Sequence, residues 1–157
     1  MFKRAVALPQ QGSATFFLSG PRQTGKTELR ITYPDALWVD LLKADEYRRY
    51  LQNPESLREP LAARDAIRQV VINEVQKVPA LLDEAHWLHE NRGIRIALCG
   101  TSAGNVKRGQ ANLLGGRALR YDLHGLTAAE MGRDFDLNRM LNHGCQLFTK
   151  RITRSFS

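Results

Sequence analysis

Residues 20 to 27 read GPRQTGKT: a glycine, four further residues, then Gly25, Lys26 and Thr27. The chemistry of that spacing is phosphate binding. Glycines let backbone N–H groups face a polyphosphate, a lysine ammonium reaches the β- and γ-phosphates, and a threonine hydroxyl meets Mg²⁺. Gly20, Pro21, Arg22, Gln23, Thr24, Gly25, Lys26 and Thr27 are therefore the candidate nucleotide contacts, with solvent as the alternative surroundings for Arg22.

A second set of residues bears on turnover. Phosphoryl transfer depends on positioning and charge neutralisation more than on covalent help. A carboxylate after a buried strand orients water on Mg²⁺, and an adjacent acid activates the attacking water. Here Val70-Val71-Ile72 is followed by Asn73-Glu74, so the expected Asp-Glu pair carries an amide in its first position. Glu74 is the candidate general base, and Asn73 joins Thr27 on the metal side. Asparagine keeps an acceptor oxygen, loses the negative charge, and can turn its NH₂ toward a cation. Losing such an outer-shell partner costs about 10- to 100-fold in affinity or activity, so binding is expected to survive better than turnover. Thr101 and Ser102 follow a later apolar run and either hold a γ-phosphate or water, or cap the next helix. Arg117, after Gly115-Gly116, is a candidate positive charge for the phosphates. His86 and His89 lie near Asp83 and Glu84 but lack converging ligands for a metal, and read as helix surface or packing. Cys99 and Cys145 have neither metal nor redox spacing and read as free thiols.

These residues can meet only if a buried strand enters the loop and a helix leaves it. The run Ala14-Thr15-Phe16-Phe17-Leu18 suits the strand, and Glu28-Leu29-Arg30-Ile31 continues as helix until Tyr33-Pro34. Further strands are expected at 36–39, ending at Asp40, and at 70–72, 94–99 and 118–123. Helices are expected at 43–51, at 54–66 with Pro54 in the first turn, and from Pro79 to the Asn91-Arg92-Gly93 stop. Two more are expected at 106–114 and about 136–142, the latter preceded by the capping-box spacing Thr127-Ala128-Ala129-Glu130. Strands alternating with helices imply crossover units. The expected fold class is α/β: a three-layer P-loop NTPase fold with a mainly parallel five-stranded sheet and helices on both faces. Ligands of such sheets sit at the carboxyl ends of the strands, which gathers the loop, Asp40, Asn73-Glu74 and Thr101-Ser102 into one crevice.

Composition sets the outer bounds. The chain has 157 residues, 43% apolar and 25% charged, which is ordinary for a globular protein and indicates neither disorder nor a collagen-like or membrane class. One domain is expected over 1–145, its core starting near residue 12, followed by a short basic tail at 146–157, truncated or poorly ordered. The opening MFKRAVALPQQ has too short an apolar run for a secretory signal, and no stretch reaches the ~18 apolar residues of a spanning helix. A soluble, cytoplasmic protein with no membrane partner is expected. The formal charge of +7 leaves nucleic acid open as a partner, but no aromatic-and-basic module supports it. No Asn-Lys-x-Asp sequence for reading guanine occurs, which disfavours GTP.

FFLSGPRQTGKTELR, ALWVDLL, VVINEVQKVPALLDEAHWL, IALCGTSA and LLGGRALRYDLHGLTAAEM together resemble successive blocks of a family of prokaryotic AAA-type P-loop ATPases. In that family a separate C-terminal domain usually follows the nucleotide domain. The resemblance runs from about residue 3 to 144. It implies ATP and Mg²⁺ as cofactors, with Gly25, Lys26 and Thr27 on phosphate and metal and Glu74 activating water. It also implies a polar sensor at Thr101 or Ser102, Arg117 as the arginine of a Leu-x-Gly-Arg block, and the sensor strand lying between the loop strand and the Asn73 strand. The family usually has Asp at position 73, Thr at position 99 and Pro at position 125, where this chain has Asn73, Cys99 and Gly125. The ending CQLFTKRITRSFS does not match the family's continuation and reads as a fragment, a truncated product or a frame-altered end. The expected function is an ATP- and Mg²⁺-binding AAA-type domain with weak ATP hydrolysis because of Asn73. The alternative is a non-catalytic, nucleotide-dependent interaction module or a truncated remnant of a two-domain ATPase. A second copy or another protein is left open as a partner. A small-metabolite kinase is disfavoured because no acceptor pocket or Arg-rich lid is recognisable.

Overall fold

Each short apolar run alternates between two buried faces, and that alternation builds the sheet. The computed structural model describes residues 7–20, 29–100, 118–125, 127–134 and 136–137. Strands β1 (Phe16–Ser19), β2 (Leu37–Asp40), β3 (Gln69–Asn73), β4 (Arg95–Gly100) and β5 (Leu119–Asp122) pair in the order β2-β3-β4-β1-β5. All four pairings are parallel. As expected, β4 lies between β1 and β3. Both faces are covered, as a parallel sheet requires. Val39, Val70, Ile72, Ile96 and Leu98 pack with Tyr50, Leu57, Leu61, Leu81, Leu82, Ala85 and Leu88 on one side. Phe16, Leu18, Val71, Ala97 and Cys99 pack with Leu29, Tyr33 and Leu123 on the other.

The helices follow from local chemistry. After β1 comes α1 (Leu29–Thr32), and after β2 comes α2 (Ala44–Gln52). The single helix expected over 54–66 is instead a 3-10 turn, Pro54–Leu57, and a short α3 (Arg58–Ala62). Pro60 accounts for the break: it has no N–H to give the Ser56 carbonyl, and its ring crowds the preceding turn. α4 (Leu81–Arg92) buries Leu81, Leu82, Ala85 and Leu88 and closes on Gly93 at φ 62°, a left-handed cap that favours glycine. The capping box at Thr127 and Glu130 forms, with Glu130 N–H donating to Thr127 Oγ1 at 3.3 Å and Thr127 N–H donating to Glu130 Oε2 at 2.8 Å. It starts α5 (Ala128–Met131) directly, ahead of the helix expected from 136. The first strand, expected over 14–18, starts two residues later and ends one later, and just before its start Thr15 Oγ1 takes the Ile96 N–H at 3.0 Å in place of a backbone acceptor.

On the exposed side of α4, Arg58 grips Glu84 at 2.8 and 2.9 Å and lies 4.0 Å over the Trp87 ring, giving that tryptophan a partner within the chain. His89 stays within 3.2 Å of Thr15 Oγ1 and 3.3 Å of the Ile94 carbonyl, a packing role. Among the described residues, no helix is long and apolar enough to cross a membrane. The loop residues Pro21 to Thr27, Thr101, Ser102, the helix at 106–114, Arg117, most of the 136–142 helix, Cys145 and the 146–157 tail lie outside the described residues.

Candidate functional site

The carboxyl ends of β1, β4, β3 and β2 form one edge, and the site is built along it. β1 ends at Ser19, and Gly20, the first glycine of the loop sequence, donates its N–H to the Gly100 carbonyl at 3.2 Å. The pairing of β1 with β4 therefore carries one residue into the loop. On the far side of the loop, α1 starts at Leu29, whose buried side chain packs with Phe16, Leu18 and Tyr33. Tyr33 is fully buried, and its hydroxyl donates to the Pro9 carbonyl at 2.7 Å. Burial, with Tyr121 and Cys99 adding, pushes its phenol up to about 12, so it remains a protonated donor at neutral pH.

Beside Gly20, β5 anchors the edge. Ser19 Oγ donates to Asp122 Oδ1 at 2.6 Å and Arg120 to the same oxygen at 3.2 Å. These bonds, Ser19's foremost, hold the Asp122 carboxyl below its ordinary value. A lowered folded value means stability that is present above the unfolded carboxylate range, about pH 4, and lost as pH falls through the folded value. Thermal melts are expected to show Ser19→Ala less stable than wild type at neutral pH, with the gap closing in acid. A gap that persists into strong acid would show that the carboxylate is not its source.

At the other end of the edge, Asp40 and Asn73 are register partners, each the last residue of its strand. Asn73 Nδ2 donates to Asp40 Oδ1 at 3.0 Å, and the same oxygen accepts the Leu42 N–H at 3.2 Å. The Asp40 N–H donates to Glu46 Oε2 at 2.6 Å, and Glu46 Oε1 accepts from Lys43 at 2.9 Å. The Asn73 carbonyl takes the Leu41 N–H at 3.3 Å, and Lys77 donates to the Leu41 carbonyl at 2.8 Å.

Between these flanks sits Glu74, only 4% exposed. Its backbone is left-handed, φ 57° and ψ 44°, and it is the one non-glycine residue at positive φ among those described. Such a conformation costs about 1–3 kcal/mol and persists only where the surroundings impose it. Here it turns the chain from β3 into the 3-10 turn Val75–Lys77. Gln76 Nε2 donates to Glu74 Oε2. A Cβ on Gly100 would stand 2.7 Å from Gln76 Oε1, so glycine there is what lets Gln76 lie across the end of β4. Gly100→Ala is expected to lose about 1–3 kcal/mol by overpacking, and Gln76→Ala in the same chain to recover part of that loss. Strictly additive losses in urea unfolding would overturn the contact.

The run Gly20–Gly100–Gln76–Glu74–Asn73–Asp40 thus links the start of the glycine loop to the acidic end of the sheet. A family model described as an AAA domain matches residues 13–132. The chain belongs to the AAA domain family. The fold of this AAA domain is similar to that of the Aeropyrum pernix Orc1 protein solved in complex with DNA, with 15% identity and a TM-score of 0.51 over 75% of this chain and 41% of that one. Domain III of the Thermotoga maritima replication initiation protein DnaA matches 76% of this chain and 58% of its own at 16% identity and a TM-score of 0.49. This AAA domain therefore spans less than two thirds of either chain. No curated protein matches its sequence.

Of the residues the sequence singled out, Gly20, Asn73 and Glu74 lie on this edge of the AAA domain, whereas Pro21 to Thr27, Thr101, Ser102 and Arg117 fall outside the described residues. Sequence reasoning missed Gln76, Ser19 and Asp122 as neighbours of the loop and the acid. It placed Asp40 in the crevice but gave it no role. Asp40 and Asn73 each close an apolar run, which the sequence shows, but that their two strands lie side by side is given only by the strand order.

Proposed function

We propose that this AAA domain binds ATP with Mg²⁺ between the loop of residues 20–27 and the end of β3, and hydrolyses it slowly. The observation that carries the reading is the setting of GPRQTGKT: β1 ends one residue before it, α1 starts at Leu29, and the Asn73-Glu74 end of β3 shares its edge of the sheet. A parallel sheet binds its ligands at this edge. In this reading the backbone from Gly20 to Gly25 cradles the phosphates, Lys26 neutralises their charge, and Thr27 supplies a hydroxyl to the metal.

The residues present suit the metal. Mg²⁺ takes hard oxygen ligands, keeps several waters, and uses few protein groups beside phosphate oxygens. The Thr27 hydroxyl and the Asn73 amide oxygen are oxygen donors of that type, and the second is available because Asn73 Nδ2 is engaged by Asp40. When bound, Mg²⁺ would neutralise the charge that gathers on the phosphates in the transition state. Glu74 takes the proton of the attacking water. Its burial limits access of bulk water, and Gln76 steadies one of its oxygens. Thr101 or Ser102 reads the γ-phosphate, and Arg117 adds positive charge from the same chain or a neighbouring copy.

The neutral amide at position 73 favours a second reading, a nucleotide-dependent interaction module without turnover. Phosphate release measured with and without Mg²⁺, beside calorimetric ATP binding, separates the two. Slow Mg²⁺-dependent release supports hydrolysis. Saturable binding without release, together with an ATP-dependent change in association state, selects the module, and absence of ATP binding overturns both.

A further inference from the structure

Asn73 leaves open which of its two polar atoms faces the nucleotide, and the neighbouring strand decides it. A carboxylate has no hydrogen to give, so only the amide NH₂ can bond to Asp40. Asp40 is itself held on several sides. Its main chain pairs with β3, its N–H is taken by Glu46 at 2.6 Å, and its Oδ1 is tied to the Leu42 N–H at 3.2 Å as well as to Asn73 at 3.0 Å. Swinging the carboxylate aside would break its bonds to both the Leu42 N–H and Asn73. Because the amide is planar, an NH₂ turned toward Asp40 turns Oδ1 away from β2.

We propose that Asp40 is a positioning residue: it fixes the Asn73 amide so that position 73 presents an oxygen, not an NH₂, to the cation that accompanies the nucleotide. The metal half of this rests on the proposed function; the orientation of the amide does not. Asp40 also returns to this edge, one strand further out, the negative charge that Asn73 lacks. Divided between two residues, the usual carboxylate becomes an amide oxygen in place and a carboxylate behind it. The hydrogen bond that Asn73 Nδ2 donates to the carboxylate polarises the amide and strengthens its oxygen as an acceptor.

Two measurements on the full chain test this. In the ligand-free protein, the side-chain NH₂ resonances of Asn73, assigned by comparison with Asn73→Ala, are expected to shift and to exchange faster with water in Asp40→Ala. Resonances that do not respond overturn the orientation, whatever the nucleotide does. Separately, ATP affinity is measured with excess EDTA and with Mg²⁺, and Mn²⁺ is used as a spin probe of the same site. Asp40→Ala is expected to leave the EDTA affinity nearly unchanged and to reduce the gain from Mg²⁺ by about tenfold. The exchange Asp40→Asn with Asn73→Asp is expected to restore that gain, because donor and acceptor trade strands. A purely structural Asp40 would lower the melting temperature and both affinities together, with no rescue, and that result overturns the metal half. If wild type takes no ATP while its Asn73 resonances respond to Asp40→Ala, the proposed function falls, the metal half falls with it, and the orientation stands.

Discussion

Lys26→Ala is expected to remove measurable ATP binding. A lysine in this loop makes charge-assisted hydrogen bonds to two phosphate groups, each worth about 1.5–3 kcal/mol. Losing both weakens binding by about 100-fold or more, since every 1.4 kcal/mol is a factor of about ten. Calorimetric titration of ATP into wild type and variant measures the change directly, and matching circular dichroism spectra confirm that the fold is retained. Equal affinities would remove the nucleotide from this loop and leave the AAA domain with a binding mode that Gly20 to Thr27 do not supply. Lys26→Arg separates charge from shape, because a guanidinium keeps the charge but presents a planar fork in place of a compact ammonium.

The second large effect concerns Asn73. Returning an aspartate to position 73 is expected to raise Mg²⁺-dependent turnover by about 10- to 100-fold, the usual worth of an outer-shell metal partner. The neighbouring strand adds a condition. Asn73 Nδ2 lies 3.0 Å from Asp40 Oδ1, so Asn73→Asp alone sets two carboxylates against each other and removes the donor between them. In the absence of Mg²⁺ that variant is expected to be less stable than wild type by about 1–3 kcal/mol, the cost of leaving a polar group without its partner. The double variant with Asp40→Asn restores a donor facing an acceptor and is expected to show the full gain in turnover. Single-turnover phosphate release at saturating ATP, with urea unfolding in parallel, covers both effects. A double variant no faster than wild type would mean that the amide at position 73 is not what limits hydrolysis.

The two predictions divide along the same line as the molecule. In the proposed function, binding rests on a contiguous segment, whereas turnover rests on side chains from separate strands. Gln76 belongs to the second group. Its amide bonds Glu74 while lying across the end of the adjacent strand, where a Cβ on Gly100 would stand 2.7 Å from its oxygen. The Ser19–Asp122 bond likewise joins positions more than a hundred residues apart in sequence.

The sequence by itself determined the fold class and the five strands, because short apolar runs and glycine or proline stops are local signals. It also carries the GPRQTGKT pattern and the amide at position 73, since both are written in contiguous residues. Pro60 is readable in the sequence as well: a helix through 54–66 needs an N–H that proline lacks, and the chain divides just before it, between Leu57 and Arg58. Tertiary structure alone decided the rest. The order β2-β3-β4-β1-β5 puts Asp40 beside Asn73 and Gly100 beside Gly20, and no local pattern encodes which strand ends become neighbours. The left-handed backbone of Glu74 is likewise imposed from outside, since glutamate has no intrinsic preference for it. Short-range sterics and hydrophobic period fix each element, but the contacts that tune an acid or orient an amide arise only when separate strands are laid side by side.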